Sequence, residues 1–393
     1  MESAYTCWNN KIPNCTTYCA VRCMVEVYSL PPVIIMGLMF NIFCLGIFWL
    51  VGRQRKKQKR TSIPSENNGG VVMTKYLTAL TLFDTLQLIL AIFIIVLPAF
   101  AMFQNIPKAS KTFRIVIYSL LYMTPIMMTA NYASIWSITA ICIQRFVVIC
   151  HPLESIYKFT YLHHPGRIVF SLTILAFCLN FIRFFEIEFI TEQEQHWGGN
   201  GTFVVNVSTV GYTKLFYHIA YQIINEGLVY MGCVYLFPFL ILTVLTFKMV
   251  RSLLETNQLL SQYSSRRGAS AKSHGAQPVN TQPAERRGLN RERRGAYLVI
   301  AIVILFFFCH TLTVIVRLWG MARKPDPLDQ RYMLCLSVAN LMVMVNSAVN
   351  PLLYYLFTRG FRDLFAEFRR KGKPTFVEKL PLLFRSMRRN TIY

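Results

Sequence analysis

Charge is scarce in this chain. Asp, Glu, Lys and Arg make up 15% of its 393 residues, against 54% hydrophobic residues. A soluble domain of that length needs more charge to cover its surface, so the composition points to a chain solvated by lipid. Acid is scarcer still, with 18 Asp and Glu against 41 Lys and Arg and a formal net charge of +23. That excess lies in short blocks between long apolar stretches, which argues for membrane topology and lipid contact and against nucleic acid as a partner. The first residues, MESAYTCWNN, lack a basic start followed by an apolar core. No cleavable signal peptide is therefore expected, and the first span would direct its own insertion. No internal repeat is visible, which speaks against the inverted-repeat design of many transporters.

What is present in abundance is long apolar sequence. About 30 Å of hydrocarbon requires roughly 20 apolar residues in a helix. Seven stretches meet this, near 30–51, 76–103, 115–150, 168–190, 227–250, 296–319 and 332–357. The third is the longest and carries polar residues throughout, as suits the middle of a bundle. The expected fold is an all-α seven-transmembrane helix bundle over 30–357. An extracellular Cys-rich segment (1–29) precedes it, and a short amphipathic inner-face helix (358–370) and a cytoplasmic tail (371–393) follow.

Basic residues crowd the loops after the first and fifth spans and the tail, including Arg53, Arg55, Lys56, Lys57, Lys59 and Arg60, so those segments are expected inside and the N-terminus outside. The tripeptide Asn-x-Ser/Thr occurs at Asn14, Asn200 and Asn206, all on segments placed outside by that count. The protein is thus expected at the plasma membrane, glycosylated. The loop 251–294 is rich in Ser, Gly, Gln and Arg and reads as flexible. Phe361, Leu364, Phe365 and Phe368 follow a helical period with Arg362, Arg369 and Arg370 among and after them, the pattern of a membrane-surface helix.

Polar residues inside apolar spans need a reason. Asp84 sits mid-span in LTLFDTLQL, and Asn41, Ser134, Asn346, Ser347 and Asn350 fall at comparable depth in other spans. Such a ring either satisfies the carboxylate internally or offers oxygen ligands to a small hard cation. Sodium is the candidate ion, and no other cofactor or metal is expected. Arg145 closes the third span, where it is either an interfacial anchor or a functional charge. Pro351 in NSAVNPLLYY removes a backbone donor deep in the last span.

In combination these residues resemble the rhodopsin-like (class A) G-protein-coupled receptors. Asn41 (with Gly37), Asp84, the triplet Gln144-Arg145-Phe146, Cys150-His151-Pro152, Pro238 and Asn350-Pro351-Leu352-Leu353-Tyr354 stand in that family's order and spacing. A narrower likeness, in NFIRFFEIEF, YLFPFLILTVL and CHTL, is to invertebrate neuropeptide receptors of the FMRFamide type. The resemblance implies a two-state bundle that binds an extracellular ligand and opens its inner face to a heterotrimeric G protein, with Gln144, Arg145, Phe146, Asn350, Pro351 and Tyr354 as its moving parts. Glu292 sits where some members keep an acid that pairs with that arginine. The departures are specific. Neither 104–125 nor 186–232 contains Cys, so the family's loop disulfide is missing. The sixth span has Cys309-His310-Thr311-Leu312 in place of Cys-Trp-x-Pro, Gln144 replaces an acid, and Thr246 replaces a Tyr.

The third span has no acid for an amine ligand and 332–357 has no lysine for a retinal Schiff base, so a peptide is the expected ligand. Glu186, Glu188, Glu192, Glu194 and Glu226 against a single Lys214 would attract a peptide containing Arg, and the resemblance to FMRFamide-type receptors implies that it is amidated. Arg183 and Glu186 are spaced to pair. Tyr122, Asn131, Arg183, Glu186, Glu188, His310, Arg317 and Asn340 are the candidate cavity residues. Cys7, Cys15, Cys19 and Cys23 read as two leader disulfides of undetermined connectivity. No enzyme site is evident, since Cys309 and His310 point about 100° apart on one helix. The alternatives are a transporter or channel, or a receptor-like protein without signalling.

Overall fold

The computed structural model describes residues 17–59, 68–104, 106–107, 110–151, 162, 164–198, 201–273, 283–323 and 329–357. Among these, seven helices are long and apolar enough to cross a membrane: α1 Thr17–Trp49, α2 Val72–Phe103, α3 Lys111–Cys150, α4 Pro165–Phe185, α5 Ile219–Thr256, α6 Arg293–Arg323 and α7 Gln330–Phe357. The protein is an all-α membrane bundle. α3 is the most buried helix and α4 the least, as the polar third stretch and the plain apolar fourth imply. One apolar core runs through the bundle, with Tyr76, Leu80, Ile135, Ile138, Ile302, Phe306 and Tyr354 among its members. Large apolar side chains such as Phe170, Leu240, Phe247 and Phe308 point outward, where lipid rather than protein covers them.

Proline sets the local geometry of three helices. α1 begins at Thr17 rather than near residue 30, because the chain crosses Pro31 and Pro32 without a break. A proline ring clashes with the carbonyl four residues earlier. The segment before these prolines, Met24–Ser29, is π-helical, and a widened turn moves those carbonyls aside. The Ser29 hydroxyl donates to the Met24 carbonyl at 3.0 Å. Ile92–Val96 before Pro98 and Ile223–Leu236 before Pro238 repeat the arrangement.

The fourth stretch stops being helical before Ile187. A short 3₁₀ turn, Ile182–Phe185, closes α4, and an antiparallel hairpin follows, β1 Ile187–Gly198 and β2 Gly201–Tyr212. Its register runs from Ile187↔Tyr212 to Gly198↔Gly201. The sequence 198–201, Gly-Gly-Asn-Gly, is a strong turn signal between β-branched runs. Its strands were not foreseen.

The expectation of a flexible loop over 251–294 is corrected in part. The helix carrying α5 runs on to Ser273 and the helix carrying α6 starts at Pro283. Leu, Glu, Gln, Arg and Lys favour helix there even without an apolar stripe, and proline is well suited to a first turn. The expected surface helix over 358–370 and the tail lie outside the described residues, as do Cys7, Asn14, Cys15 and Asn200. Nothing is described for the Asn206 side chain, though its backbone pairs with Gln193.

Candidate functional site

Antiparallel threading puts the start of α1, the end of α4, the hairpin and the start of α5 on one face, here the N-terminal face. A largely buried polar cluster lies at the base of the hairpin. Glu186 Oε1 accepts from Arg183 Nη1 at 3.3 Å, from the Tyr221 hydroxyl at 2.5 Å and from Asn225 Nδ2 at 3.1 Å. Arg183 Nη2 also donates to Glu226 Oε1 at 2.9 Å. The other Glu226 oxygen is 3.7 Å from Arg317 Nη1 on α6. The guanidinium of Arg317 stands 5.0 Å from the centre of the Tyr230 ring, and that of Arg183 5.9 Å from it. Burial pushes the Glu186 carboxyl above the usual carboxylate range, with Arg183 opposing. Two of the five acids expected to make a bare negative field, Glu186 and Glu226, are therefore matched here by two arginines.

Below the cluster, polar contacts run toward the centre. The Tyr230 and Tyr235 hydroxyls are 3.2 Å apart, and Asn131 Nδ2 donates to Tyr235 at 3.4 Å. Gln87 Nε2 donates to Asn131 Oδ1 at 3.4 Å, and the Ser347 hydroxyl donates to Gln87 Oε1 at 3.3 Å. His310 is buried with its ring 4.5 Å from Phe306 and 5.8 Å from Tyr235.

At the centre, Ser134 donates to Asp84 Oδ1 at 3.0 Å and Asn350 Nδ2 to Oδ2 at 2.7 Å. Asn41 Nδ2 donates to the carbonyls of Gly37 (2.8 Å) and Ser347 (3.0 Å). α1 and α7 meet so closely at Gly37 that a Cβ there would lie 2.7 Å from Ala348 Cβ. Only glycine fits without displacement. The amide oxygens of Asn41, Asn346 and Asn350 are buried and hold no hydrogen bond among the described residues. That leaves three unpartnered oxygens on α1 and α7, one of them on Asn350, whose amide nitrogen holds the Asp84 carboxylate.

At the far end, Arg145 is buried and Gly295 of α6 lies against it: a Cβ on Gly295 would sit 3.2 Å from Arg145 Nη1 and 3.4 Å from Met73 Sδ. Gln144 is buried too, and its amide holds no hydrogen bond among the described residues. Phe146 packs edge-on against His151 at 5.6 Å. Tyr354 is fully buried beside Phe48, 5.9 Å between ring centres. Pro351 stays within α7. The side chain of Glu292, and with it the expected Arg145–Glu292 pair, lies outside the described residues.

The sequence pattern of seven-transmembrane receptors of the rhodopsin family matches residues 70–354. The chain belongs to that family. It is a receptor, not an enzyme. Over 250 residues the receptor is 25% identical to the FMRFamide receptor of Drosophila melanogaster, covering 61% of this chain and 38% of that protein. Over 249 residues it is 25% identical to cysteinyl leukotriene receptor 2 of Homo sapiens, covering 62% of this chain and 59% of that one. The receptor thus matches less than two thirds of the length of either relative.

The candidate residues divide accordingly. Arg183, Glu186, Arg317, Asn131 and His310 belong to the N-terminal-face cluster or the column beneath it. Tyr122 does not; it is exposed and stacks on Tyr118, 6.4 Å between ring centres. Glu188 is exposed on β1, and Asn340 is half-buried on α7 without a hydrogen bond to either cluster. Glu226 was noticed only as an acid, while Tyr221, Asn225, Tyr230, Tyr235 and Gln87 were missed. Gln87 had a signal, being polar and one helical turn beyond Asp84 in an apolar run. The four fifth-helix residues had none, because tyrosine and asparagine near a membrane boundary are ordinary.

Proposed function

We propose that the receptor sits in the plasma membrane with its N-terminus outside, binds an extracellular neuropeptide at the Arg183–Glu186–Glu226–Arg317 cluster, and activates a heterotrimeric G protein from the opposite face. The observation that carries this reading is the cluster itself: two carboxylates and two guanidinium groups at the base of the hairpin, with a column of polar contacts running on from Tyr230 to Ser347. A peptide offers both charges and amide groups to such a site. The two relatives differ in the ligands their names carry at the same 25% identity, so the ligand class rests on the site. Glu226 is the carboxylate for a ligand guanidinium. Its contact with Arg317 is long, and both partners are partly open, at 26% and 28% exposure of their side chains. An incoming arginine side chain would take the place of Arg317 and leave Arg183 on the other oxygen.

Signalling would proceed by differential affinity of the peptide for two bundle forms. Arg145 lies buried against α6 in the closed form and would meet the G protein when α6 moves away, with Tyr354 turning inward. Membrane lipid is the surrounding partner. A sodium ion near Asp84 fits the donor set, since three amide oxygens there lack donors; it would favour the closed form by neutralising the carboxylate. Two disulfides among Cys7, Cys15, Cys19 and Cys23 would brace the leader. Cys19 and Cys23 are buried, and neither is among the free thiols.

The test is a screen of amidated peptides for G-protein activation in cells, with Arg145→Ala as the control. A peptide containing Arg should activate wild type at sub-micromolar concentration, lose potency about tenfold or more on Glu226→Gln, and elicit nothing from Arg145→Ala. Solute flux across vesicles holding the purified protein, without G-protein response, would favour a transporter instead.

A further inference from the structure

The family's disulfide from the start of α3 to the loop after α4 has neither of its cysteines here, since 104–125 and 186–232 contain none. The hairpin is nevertheless anchored on two sides. Its base is held to α4 and α5 through Glu186, which is 7% exposed. The side chain of Glu186 accepts from Arg183, Tyr221 and Asn225, while its carbonyl accepts from the Thr213 amide at 2.9 Å. The Thr213 hydroxyl closes the same base by donating to the Phe185 carbonyl at 2.6 Å. On the other side, Phe189 of β1 stacks nearly parallel on Tyr118 of α3, with 5.6 Å between ring centres and 16° between planes. Tyr122 extends the stack one helical turn along α3.

We propose that Glu186 and the Phe189–Tyr118 stack form a two-part non-covalent clasp that seats the hairpin over the N-terminal-face cluster in place of the missing disulfide. The two halves do different work. The Glu186 half is directional and buried, so removing its carboxylate takes an acceptor from Arg183, Tyr221 and Asn225 together and loosens the base. The aromatic half is partly exposed and fixes the lateral position of β1 against α3. Because no sulfur takes part, the seating is indifferent to reducing agents. Glu186, Phe189 and Tyr118 are positioning residues: they fix the base and the first strand of the hairpin against α3, α4 and α5. The clasp stands on the fold alone and does not depend on what the ligand is.

Hydrogen exchange on the full receptor in lipid nanodiscs tests this. Wild type should keep the amides from Glu186 to Thr213 equally protected with and without a phosphine reductant. Glu186→Ala should speed exchange at Glu186 and Thr213 at least tenfold while the amides around Asp84 and Asn350 stay as protected as in wild type. Phe189→Ala, at a partly exposed position that leaves the ion pairs intact, should speed exchange along β1, and Phe189→Tyr should restore it. Should Glu186→Ala not fold, Phe189→Ala and Phe189→Tyr carry the test. Release of the wild-type hairpin by the reductant, or unchanged exchange in the alanine variants that fold, would overturn the clasp.

Discussion

At the residue scale, a few positions decide what the bundle can do. Asp84 is wholly buried with a donor on each oxygen, yet three neighbouring amide oxygens have no donor among the described residues. The proposed sodium ion would resolve that imbalance. Replacing sodium with choline should lower the melting temperature of the purified receptor by a few degrees, because a ligand held only by the folded form stabilises it. Asp84→Asn should remove the difference. Equal melting in both salts would rule the ion out. Gly295 is the second such position. A methyl group there would meet the Arg145 guanidinium at 3.2–3.3 Å, so Gly295→Ala must push Arg145 or α6 outward by some tenths of an ångström. If closed packing at this contact is worth about 1 kcal/mol, ligand-free G-protein activation should rise roughly fivefold. Basal activity at or below the wild-type level would show that Gly295 is a passive gap.

At the element scale, the helices follow from apolar length, and their irregularities follow from proline. The spans were legible because lipid leaves few other readings for long apolar runs. Their ends were less so. The start of α1 was hidden by Pro31 and Pro32, which usually mark a boundary and here sit just beyond a π-helical segment that admits them. The hairpin was hidden because Phe181, Ile182, Phe184 and Phe185 continue the apolar run of α4 up to the strand. The extended start of α1 has a tertiary anchor: Glu26, buried, accepts from Arg22 Nε at 3.0 Å and from the Ser337 hydroxyl of α7 at 2.5 Å. Ser337→Ala should leave that carboxylate short of a donor at a cost of about 1–3 kcal/mol. Hydrogen exchange over 17–29 would then accelerate while α7 beyond Asn346 stays protected. No local change in exchange would mean the leader is held elsewhere.

At the scale of the whole molecule, two polar regions at different depths are joined through Tyr230, Tyr235, Asn131, Gln87 and Ser347. The depth of Asp84 and its neighbours could be read from sequence, since residues at matching positions in adjacent spans lie at the same level in the membrane. The column could not, because each link pairs residues from different helices whose rotation only packing fixes. Its hydrogen bonds of 3.2–3.4 Å are long and easily rearranged. Gln87→Leu should therefore lower the maximal response to an activating peptide more than it lowers peptide affinity, which dose–response and binding curves on the same membranes would separate. Parallel losses would assign Gln87 to ligand binding alone.

The proposal as a whole requires the hairpin and cluster to face the outside of the cell and Arg145 the inside. Epitope tags at the two termini of the intact receptor, stained before and after permeabilising the cells, measure this directly. The N-terminal tag should be reached on intact cells and the C-terminal tag only after permeabilisation. Both tags reached on intact cells, or the reverse order, would contradict the account.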